Sequence, residues 1–178
     1  MRSKLERHLE KHHHVAVFSK IADNEEIYRG YVVGLSRNLV CMWLVTEWHH
    51  DGFIIIPIKY VTKVRYGKFE KTDHRILEAE GRLVDVVMPG WLKIGSYRSA
   101  MKSLRINHNN IIIESRLPSV EQFIVGKIDI INNKNAKFKA FDAAAKWISG
   151  FYTVPFKEIT SVMFGDNYSS ILRKYVTK

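Results

Sequence analysis

The sequence predicts a mainly β protein made of two tandem five-stranded small barrels, each preceded by a short α-helix. The main observation is an internal repeat: residues 56–67 read IPIKYVTKVRYG, and residues 154–165 read VPFKEITSVMFG. The two copies share proline, lysine, threonine, valine and glycine at identical spacing. Apolar residues alternate after each proline, which predicts two short strands joined by a tight bend.

The repeat extends over most of the chain. An offset of 96 residues places Leu5 on Met101, and Gly30 on Gly126. After the third strand the offset becomes 98, which indicates a two-residue insertion, and Gly52-Phe53 then falls on Gly150-Phe151. The sequence therefore predicts a tandem duplication, with a first barrel and its helices over residues 1–81, an apolar connector over 82–97 and a second barrel over 98–178.

The first copy contains all the predicted elements in order. Leu5 and Leu9, spaced i, i+4, predict a short helix that ends near residues 12–14. Gly30 lies inside the second strand and indicates a sharp bend or a close approach of two backbones. The strands are predicted at 15–21, 26–35, 39–47, 53–58 and 61–66, and a second helix at 73–80, which Gly81 ends.

Loops separate these strands. Turns are expected at residues 22–24 and 36–38, where short polar residues cluster. Residues 48–52 are expected to form a loop, in which Asp51-Gly52 suits a hairpin turn. The connector is too apolar for a free linker and is expected to pack on a barrel or between the barrels, through Leu83, Val84, Val86, Val87 and Met88.

Composition bounds the class of protein. The net charge is +10, and residues 98–178 carry thirteen Lys and Arg against six acids. Such a basic chain binds nucleic acid or an acidic surface, or simply carries a solvated basic face. No membrane-spanning run is expected, and the N-terminus does not read as a secretory signal. The single cysteine, Cys41, excludes an internal disulfide, and we expect a cytoplasmic protein.

A helix followed by five short, bent strands resembles the Sm-like fold, a small barrel of the SH3-like kind. The closest resemblance is to the bacterial hexameric Sm-like RNA chaperones, and the tandem arrangement resembles an uncharacterised bacterial group. Gly30, Val32, Leu35 and the apolar residues 39–42 fill the places of that family's first motif. Residues 58–64 and 156–162 are similar to its second motif, Tyr-Lys-His-Ala-Ile-Ser-Thr-Val.

This resemblance implies RNA binding through the lysine of the second motif. Lys59 and Lys157 occupy that place, but Tyr60 and Glu158 replace the histidine that follows it in the family. The carboxylate of Glu158 would repel a phosphate group. The alternative explanation is that each lysine is a solvated residue at a strand edge, where it discourages edge pairing.

A second basic group lies in the second copy. Lysines interleaved with aromatic residues are typical of single-stranded nucleic-acid binding, because the lysines contact phosphates and the rings stack on bases. Two of these rings, Phe138 and Phe141, are three residues apart, so at least one is expected in the core. The predicted nucleic-acid-binding residues are Lys59, Lys157, Lys127, Lys134, Lys137, Lys139, Lys146 and Phe138.

Other functions have weaker signals. Trp48 and Trp91 are candidates for a protein-interaction surface, whereas Trp43 and Cys41 are expected in the core. The histidines at 12–14 and 49–50 would bind a metal ion only if the two groups met, and no metal or other cofactor is expected. Catalytic motifs are missing, so we expect no enzyme. The expected partner is RNA or single-stranded nucleic acid; the alternatives are a protein partner, a second copy of the chain, or a small ligand between the barrels.

Overall fold

The computed structural model describes residues 1–83, 86–108 and 110–177, and it is mainly β, as predicted. Each half contains a helix, five strands with a short 3-10 turn before the fifth, and a second helix. The first half consists of α1 (Arg2–Glu10), β1 (His14–Ile21), β2 (Asn24–Leu35), β3 (Leu39–Thr46), β4 (His49–Pro57), the 3-10 turn Ile58–Tyr60, β5 (Val61–Arg65) and α2 (Lys68–Ala79). The second half consists of α3 (Tyr97–Asn107), β6 (Ile111–Leu117), β7 (Val120–Ile131), β8 (Asn135–Ala140), β9 (Tyr152–Pro155), the 3-10 turn Phe156–Glu158, β10 (Ser161–Phe164) and α4 (Asn167–Lys174).

The ten strands form one antiparallel sheet in the order β5-β1-β2-β3-β4-β10-β6-β7-β8-β9. Each half contributes its strands in the same order, with the fifth strand beside the first and the fourth at the opposite edge. The halves join where β4 pairs with β10, with Phe53 opposite Phe164. Among the described residues the sheet is continuous and open, so two separate barrels are not confirmed as such.

Equivalent hydrogen bonds support the duplication. Arg2 donates to the carbonyl of Ser36 at 2.9 Å, and Arg98 donates to the carbonyl of Asn132 at 3.3 Å; each bond spans 34 residues. The bulge in β2 between Val32 and Gly34 has its counterpart in β7 between Ile128 and Ile130. Both bonds and both bulges are 96 positions apart, the offset that the sequence predicts.

Gly30 and Gly126 allow the backbones of paired strands to approach each other closely. A Cβ atom at Gly30 would lie 2.0 Å from the carbonyl oxygen of Trp43, and one at Gly126 would lie 2.2 Å from that of Lys139. No side chain fits at such distances. The predicted close backbone approach at Gly30 is therefore confirmed, and it occurs in both halves.

The largest core cluster contains residues of both halves, among them Trp43, Cys41 and Phe138. The connector packs against this cluster as predicted through Leu83, Val86 and Met88, and Leu92 and Ile94 are buried in it. Val87 was expected to pack as well, but it is 58% exposed, so that part of the prediction is wrong. Val84 lies outside the described residues. Burial raises the pKa of the Cys41 thiol, which therefore stays protonated as an inert apolar group.

Two local predictions are wrong. The β3–β4 hairpin turns at Glu47-Trp48, both with positive φ (49° and 59°), so β4 begins at His49 and Asp51-Gly52 lies within it. A two-residue turn of this kind requires positive φ at both positions, and no residue type there indicated it. Helix α2 begins at Lys68 rather than at 73, because the Glu70 carboxylate accepts the backbone N–H of Gly67 at 2.8 Å and caps the helix there.

Candidate functional site

A basic cleft of about 820 Å³ lies where the two halves meet. Four parts of the fold form it: the loop between β2 and β3, the loop between β7 and β8, the two 3-10 turns with the residues beside them, and the beginning of α3. Its lining residues are Arg37, Asn38, Leu39, Pro57, Ile58, Lys59, Gly95, Ser96, Tyr97, Arg98, Asn133, Phe156, Lys157 and Ile159.

The charge of the cleft is entirely positive. Arg37, Lys59, Arg98 and Lys157 line it, and none of its described lining residues is acidic. Three of these cations are exposed, and Arg98 is half-buried. Glu158, whose carboxylate was expected to repel phosphate, does not line the cleft. Four cations without a carboxylate make a local positive potential that attracts an anion.

The two lysines hold equivalent positions, because each is the central residue of a 3-10 turn. A proline precedes each turn, and a backbone hydrogen bond ties the turn to the loop between the second and third strands. These bonds run from the N–H of Ile58 to the carbonyl of Asn38 (2.8 Å) and from Phe156 to Lys134 (2.9 Å). The repeated motif therefore brings Lys59 and Lys157 to one cleft, one from each half.

Helix α3 begins at the cleft. Ser96 caps it by accepting the backbone N–H of Ser99 at 3.2 Å, and residues 95–98 line the cleft. The N-terminus of a helix carries a partial positive charge, which adds to the potential of the four cations. An anionic group is therefore favoured at this end of the cleft on two independent grounds.

The deeper part of the cleft is apolar. Leu39, Tyr97 and Ile159 are buried, and Ile58 and Phe156 are half-buried. Burial raises the pKa of the Tyr97 hydroxyl well above its usual range, so this group is a neutral donor. Within the described part of the chain the hydroxyl has no hydrogen-bond partner. The cleft thus combines cations, amide side chains at Asn38 and Asn133, and an apolar surface.

The other predicted lysines lie elsewhere. Lys127 and Lys139 are paired across β7 and β8, and their Nζ atoms lie 5.6 Å from the ring centroids of Trp147 and Phe151, respectively. Lys137 is on β8 and Lys146 is in the loop that follows. These four lysines do not line the cleft. Lys134 does not line the cleft either. Its backbone carbonyl accepts the hydrogen bond that anchors the second 3-10 turn, and its side chain is exposed.

Phe138 requires a correction. Its side chain is 0% exposed and belongs to the core, so its ring is not available to stack on a base. Phe141 is also buried, at 3% exposed. The lysines of β8 alternate with apolar residues because one face of the strand is directed to solvent and the other is directed to the core. The interleaving that suggested a stacking platform is therefore the ordinary period of a strand.

The tryptophans take different positions. Trp48 is 46% exposed, and its indole N–H donates to Asp73 at 3.3 Å. Trp91 is half-buried and packs on the core near Phe164, with ring centroids 6.0 Å apart. Trp43 is buried, as predicted. Of the two tryptophans predicted for an interaction surface, Trp48 is thus exposed, whereas Trp91 is partly covered by the core.

The histidines form no metal site that the structure describes. His8 and His13 approach each other, with their Nδ1 atoms 3.0 Å apart, and His50 stacks on Trp43. Over residues 1–83, 86–108 and 110–177, no group of three or more His, Cys, Asp or Glu is placed to hold a metal ion.

Sequence reasoning identified only two of the four cations of the cleft, Lys59 and Lys157. Arg37, Asn38, Arg98 and Asn133 lie in loops or at a helix start, where no periodic pattern singles them out. The duplication could have identified them, because the 96-residue offset places Arg37 on Asn133 and Arg2 on Arg98. In each half, the loop between the second and third strands is hydrogen-bonded to the 3-10 turn that carries the predicted lysine. These loops were therefore candidates for further site residues.

Comparison of the chain with protein-family models, with curated proteins and with solved structures found no match. None of the described helices has both the length and the apolar character that crossing a membrane requires.

Proposed function

We propose that this protein is a non-catalytic, cytoplasmic protein that binds RNA or single-stranded nucleic acid in the basic cleft between its halves. The main support for this proposal is the lining of the cleft. Four cations and no described carboxylate line it, together with apolar residues. Each half is proposed to be a unit of the Sm-like type. The support for this is the shared strand order and the equivalent position of the two lysines.

The cations account for affinity. Lys59, Lys157, Arg37 and Arg98 contact phosphates, and each neutralised phosphate releases counterions into solution. Binding therefore weakens as salt rises, with a slope set by the number of phosphates contacted. The positive end of α3 is suited to one further phosphate.

The interior accounts for selectivity among single strands. Half-buried Ile58 and Phe156 offer a surface on which an unpaired base rests, and Asn38 and Asn133 offer amide donors and acceptors for base edges. Bases in a duplex are already stacked and paired, so they cannot enter. Single strands are therefore expected to bind more tightly than duplexes of equal length.

The test is a fluorescence-anisotropy titration of labelled single-stranded RNA and DNA of mixed sequence. The double variant Lys59→Ala, Lys157→Ala is expected to bind at least tenfold more weakly at about 50 mM salt. Its plot of log affinity against log salt is expected to be shallower by about 1.4, since each lost contact to a single strand removes about 0.7.

Two control variants distinguish the cleft from general basicity. Lys174→Ala removes an exposed lysine of α4 that does not line the cleft, and it is expected to leave affinity unchanged. The triple variant Lys127→Ala, Lys137→Ala, Lys139→Ala tests the outer face of β7 and β8. Absence of binding by the wild type, or equal losses in cleft and outer-face variants, contradicts the proposal.

The alternative is a protein-interaction module without nucleic-acid activity, using strand edges and Trp48. One observation favours it: β5 and β9 are both edge strands of the described sheet, and an edge strand can add a strand from a partner. A partner retained after nuclease treatment and high salt, and lost in Trp48→Ala, would support this function instead.

A further inference from the structure

A second cavity with basic lining residues lies within the first half. Its volume is about 350 Å³, and it lies where the residues between α1 and β1 meet the end of β5 and helix α2. None of its described lining residues is acidic, and none of them lines the cleft between the halves. The lining side chains are cationic, imidazole or aromatic: Lys11, His12, His13, His14, Tyr66, Lys71 and His74.

Two hydrogen bonds fix the orientation of two imidazoles at this cavity. The Nδ1 atoms of His8 and His13 lie 3.0 Å apart, so one ring donates to the other. Only the Nε2 atom of His13 then remains for a ligand. On α2, the Nδ1 atom of His74 lies 2.8 Å from the hydroxyl of buried Tyr31, which likewise leaves its Nε2 atom.

His14 is a buried polar group without a partner in the lining of this cavity. Its side chain is 1% exposed, and neither ring nitrogen has a hydrogen-bond partner among the described residues. An oxygen of Asp73 lies 4.0 Å from its Nδ1 atom, which is beyond hydrogen-bond distance. A neutral imidazole keeps one N–H group, and leaving that group unpaired costs free energy that a bound acceptor would recover.

The second half satisfies the equivalent position internally. The offset of 96 places His14 on Asn110, which is also buried. The Asn110 amide donates to the hydroxyl of Ser169 in α4 at 2.6 Å. The same offset places Lys11 on uncharged Asn107. The first half therefore has a lysine and an unpartnered imidazole where the second half has an asparagine and a closed hydrogen bond.

The charged groups around the His13 ring are cationic. The ring faces Arg7, His8 and Lys11 on the N-terminal side, Lys71 and His74 on α2, and Tyr66 after β5. Burial lowers the pKa of His13, and Lys11, Arg7, His74 and Lys71 lower it further. Neither lysine of the cavity is in an ion pair within the described part of the chain. An anion is attracted by these charges, whereas a divalent metal ion is repelled.

We propose that this cavity binds a small tetrahedral oxyanion, either free phosphate or sulfate or the terminal phosphate group of a larger ligand. The ammonium groups of Lys11 and Lys71 balance its charge. The imidazole N–H groups of His13, His14 and His74 donate to its oxygen atoms. The site is separate from the cleft, so it does not depend on the proposed binding of nucleic acid.

The test is an NMR titration of the wild-type protein with sodium sulfate, in which sodium chloride keeps the ionic strength constant. Sulfate is the probe because its charge does not change near neutral pH. The imidazole signals of His13, His14 and His74 are expected to shift together and to saturate with one dissociation constant. Shifts that do not saturate, or that are confined to residues of the cleft, overturn the proposal.

Matched lysine variants distinguish this site from general attraction of anions. Lys11→Ala and Lys71→Ala are each expected to weaken sulfate binding about fivefold, because each removes one nearby charge. Lys68→Ala is the control, since Lys68 is an exposed lysine of the same helix that does not line the cavity. Equal losses in Lys68→Ala and Lys71→Ala contradict the proposal.

A cleft variant separates this site from the proposed function. The double variant Lys59→Ala, Lys157→Ala is expected to keep the sulfate affinity that the imidazole signals report. Failure of nucleic-acid binding therefore leaves this result unchanged, and the reverse also holds. If the same double variant abolishes the imidazole shifts, the anion is bound in the cleft and the proposal is wrong.

The pH dependence tests the imidazoles. A bound anion favours the protonated form of His13, so binding takes up a proton and sulfate affinity is expected to rise as pH falls from about 7.5 to about 6. Uptake of one proton changes an affinity by at most about tenfold per pH unit. His13→Asn is expected to flatten this dependence. A dependence that is equally steep in His13→Asn contradicts the assignment.

The buried imidazole has a separate test. His14→Phe keeps a ring but removes the N–H group, so it is expected to weaken sulfate binding about fivefold and to keep the pH dependence. Circular dichroism establishes that each variant is folded. An unchanged affinity in His14→Phe contradicts the role of His14 as a donor.

Further ligands identify the source of the anion. Inorganic phosphate and methyl phosphate are titrated in the same way, and equal affinities indicate that the site accepts the terminal phosphate group of a larger ligand. Binding of inorganic phosphate alone indicates a site for the free anion. A response of the same imidazole signals to Zn²⁺ but to none of the oxyanions overturns the proposal in favour of a metal site.

Discussion

His14 shows what a single buried residue contributes. Its side chain is 1% exposed, packs edge-on against Tyr31, and has no hydrogen-bond partner at either ring nitrogen within the described residues. Burial lowers the pKa of this imidazole to about 4; the nearby carboxylates of Asp73 and Glu70 oppose the shift, and His74 and Arg29 add to it. A neutral imidazole follows, in contrast to the metal-binding role considered for the histidines at 12–14.

The pKa of His14 predicts how stability depends on pH. The unfolded chain binds a proton at this imidazole near pH 6.5, but the folded chain binds it only near pH 4. The free energy of unfolding is therefore expected to fall as pH decreases from about 6.5 to about 4, by about 3 kcal/mol from this residue. Denaturant unfolding of wild type and His14→Phe across this range measures it.

In His14→Phe the fall is expected to be smaller. It does not vanish, because burial also lowers the pKa of His8, His13, His50 and His108. His49→Leu, at an exposed ring, is the matched control and is expected to keep the wild-type profile. If His14→Phe also keeps the wild-type dependence of stability on pH, the buried imidazole of His14 is not the cause of that dependence.

At the scale of elements, the repeated glycines could be predicted from the sequence, whereas helix and turn limits could not. Gly30 and Gly126 recur at the same place in a strand, which indicates a backbone constraint. The turn at Glu47-Trp48 could not be predicted, because neither residue type favours positive φ. The strand register places the turn there, since Thr46 pairs with His49. Asp51-Gly52, a better turn sequence, lies within β4, where the Asp51 carboxylate accepts the backbone N–H of Asn167 from the second half.

The close crossing at Gly126 predicts a steric effect. Gly126→Ala places a methyl group 2.2 Å from the carbonyl oxygen of Lys139, which forces β7 and β8 apart. The free energy of unfolding is expected to fall by about 3 kcal/mol, measured by denaturant unfolding. Gly90→Ala is the matched control, since a Cβ atom there meets nothing within 4 Å among the described residues. Equal, small effects of both substitutions would contradict the close approach.

At the scale of the whole molecule, the duplication could be predicted but its geometric consequence could not. Spacing alone predicts two related units. It does not predict that β4 pairs with β10 or that both lysine turns reach one cleft. The cleft depends on residues far apart in sequence, such as Arg37 and Lys157. The lysines of β8, Lys137 and Lys139, are conspicuous in the sequence but lie outside that cleft, because they occupy the solvent-facing side of a strand.

Photocrosslinking locates the nucleic acid that we propose to lie in the cleft between the halves. Single-stranded RNA that carries 4-thiouridine is irradiated with the wild-type protein, and the modified peptides are identified by mass spectrometry. Crosslinks are expected at residues 37–39, 57–60, 95–98 and 155–159, on both halves of the chain. Crosslinks confined to the outer face of β7 and β8, around Lys127 and Lys139, would show that nucleic acid does not bind in the cleft.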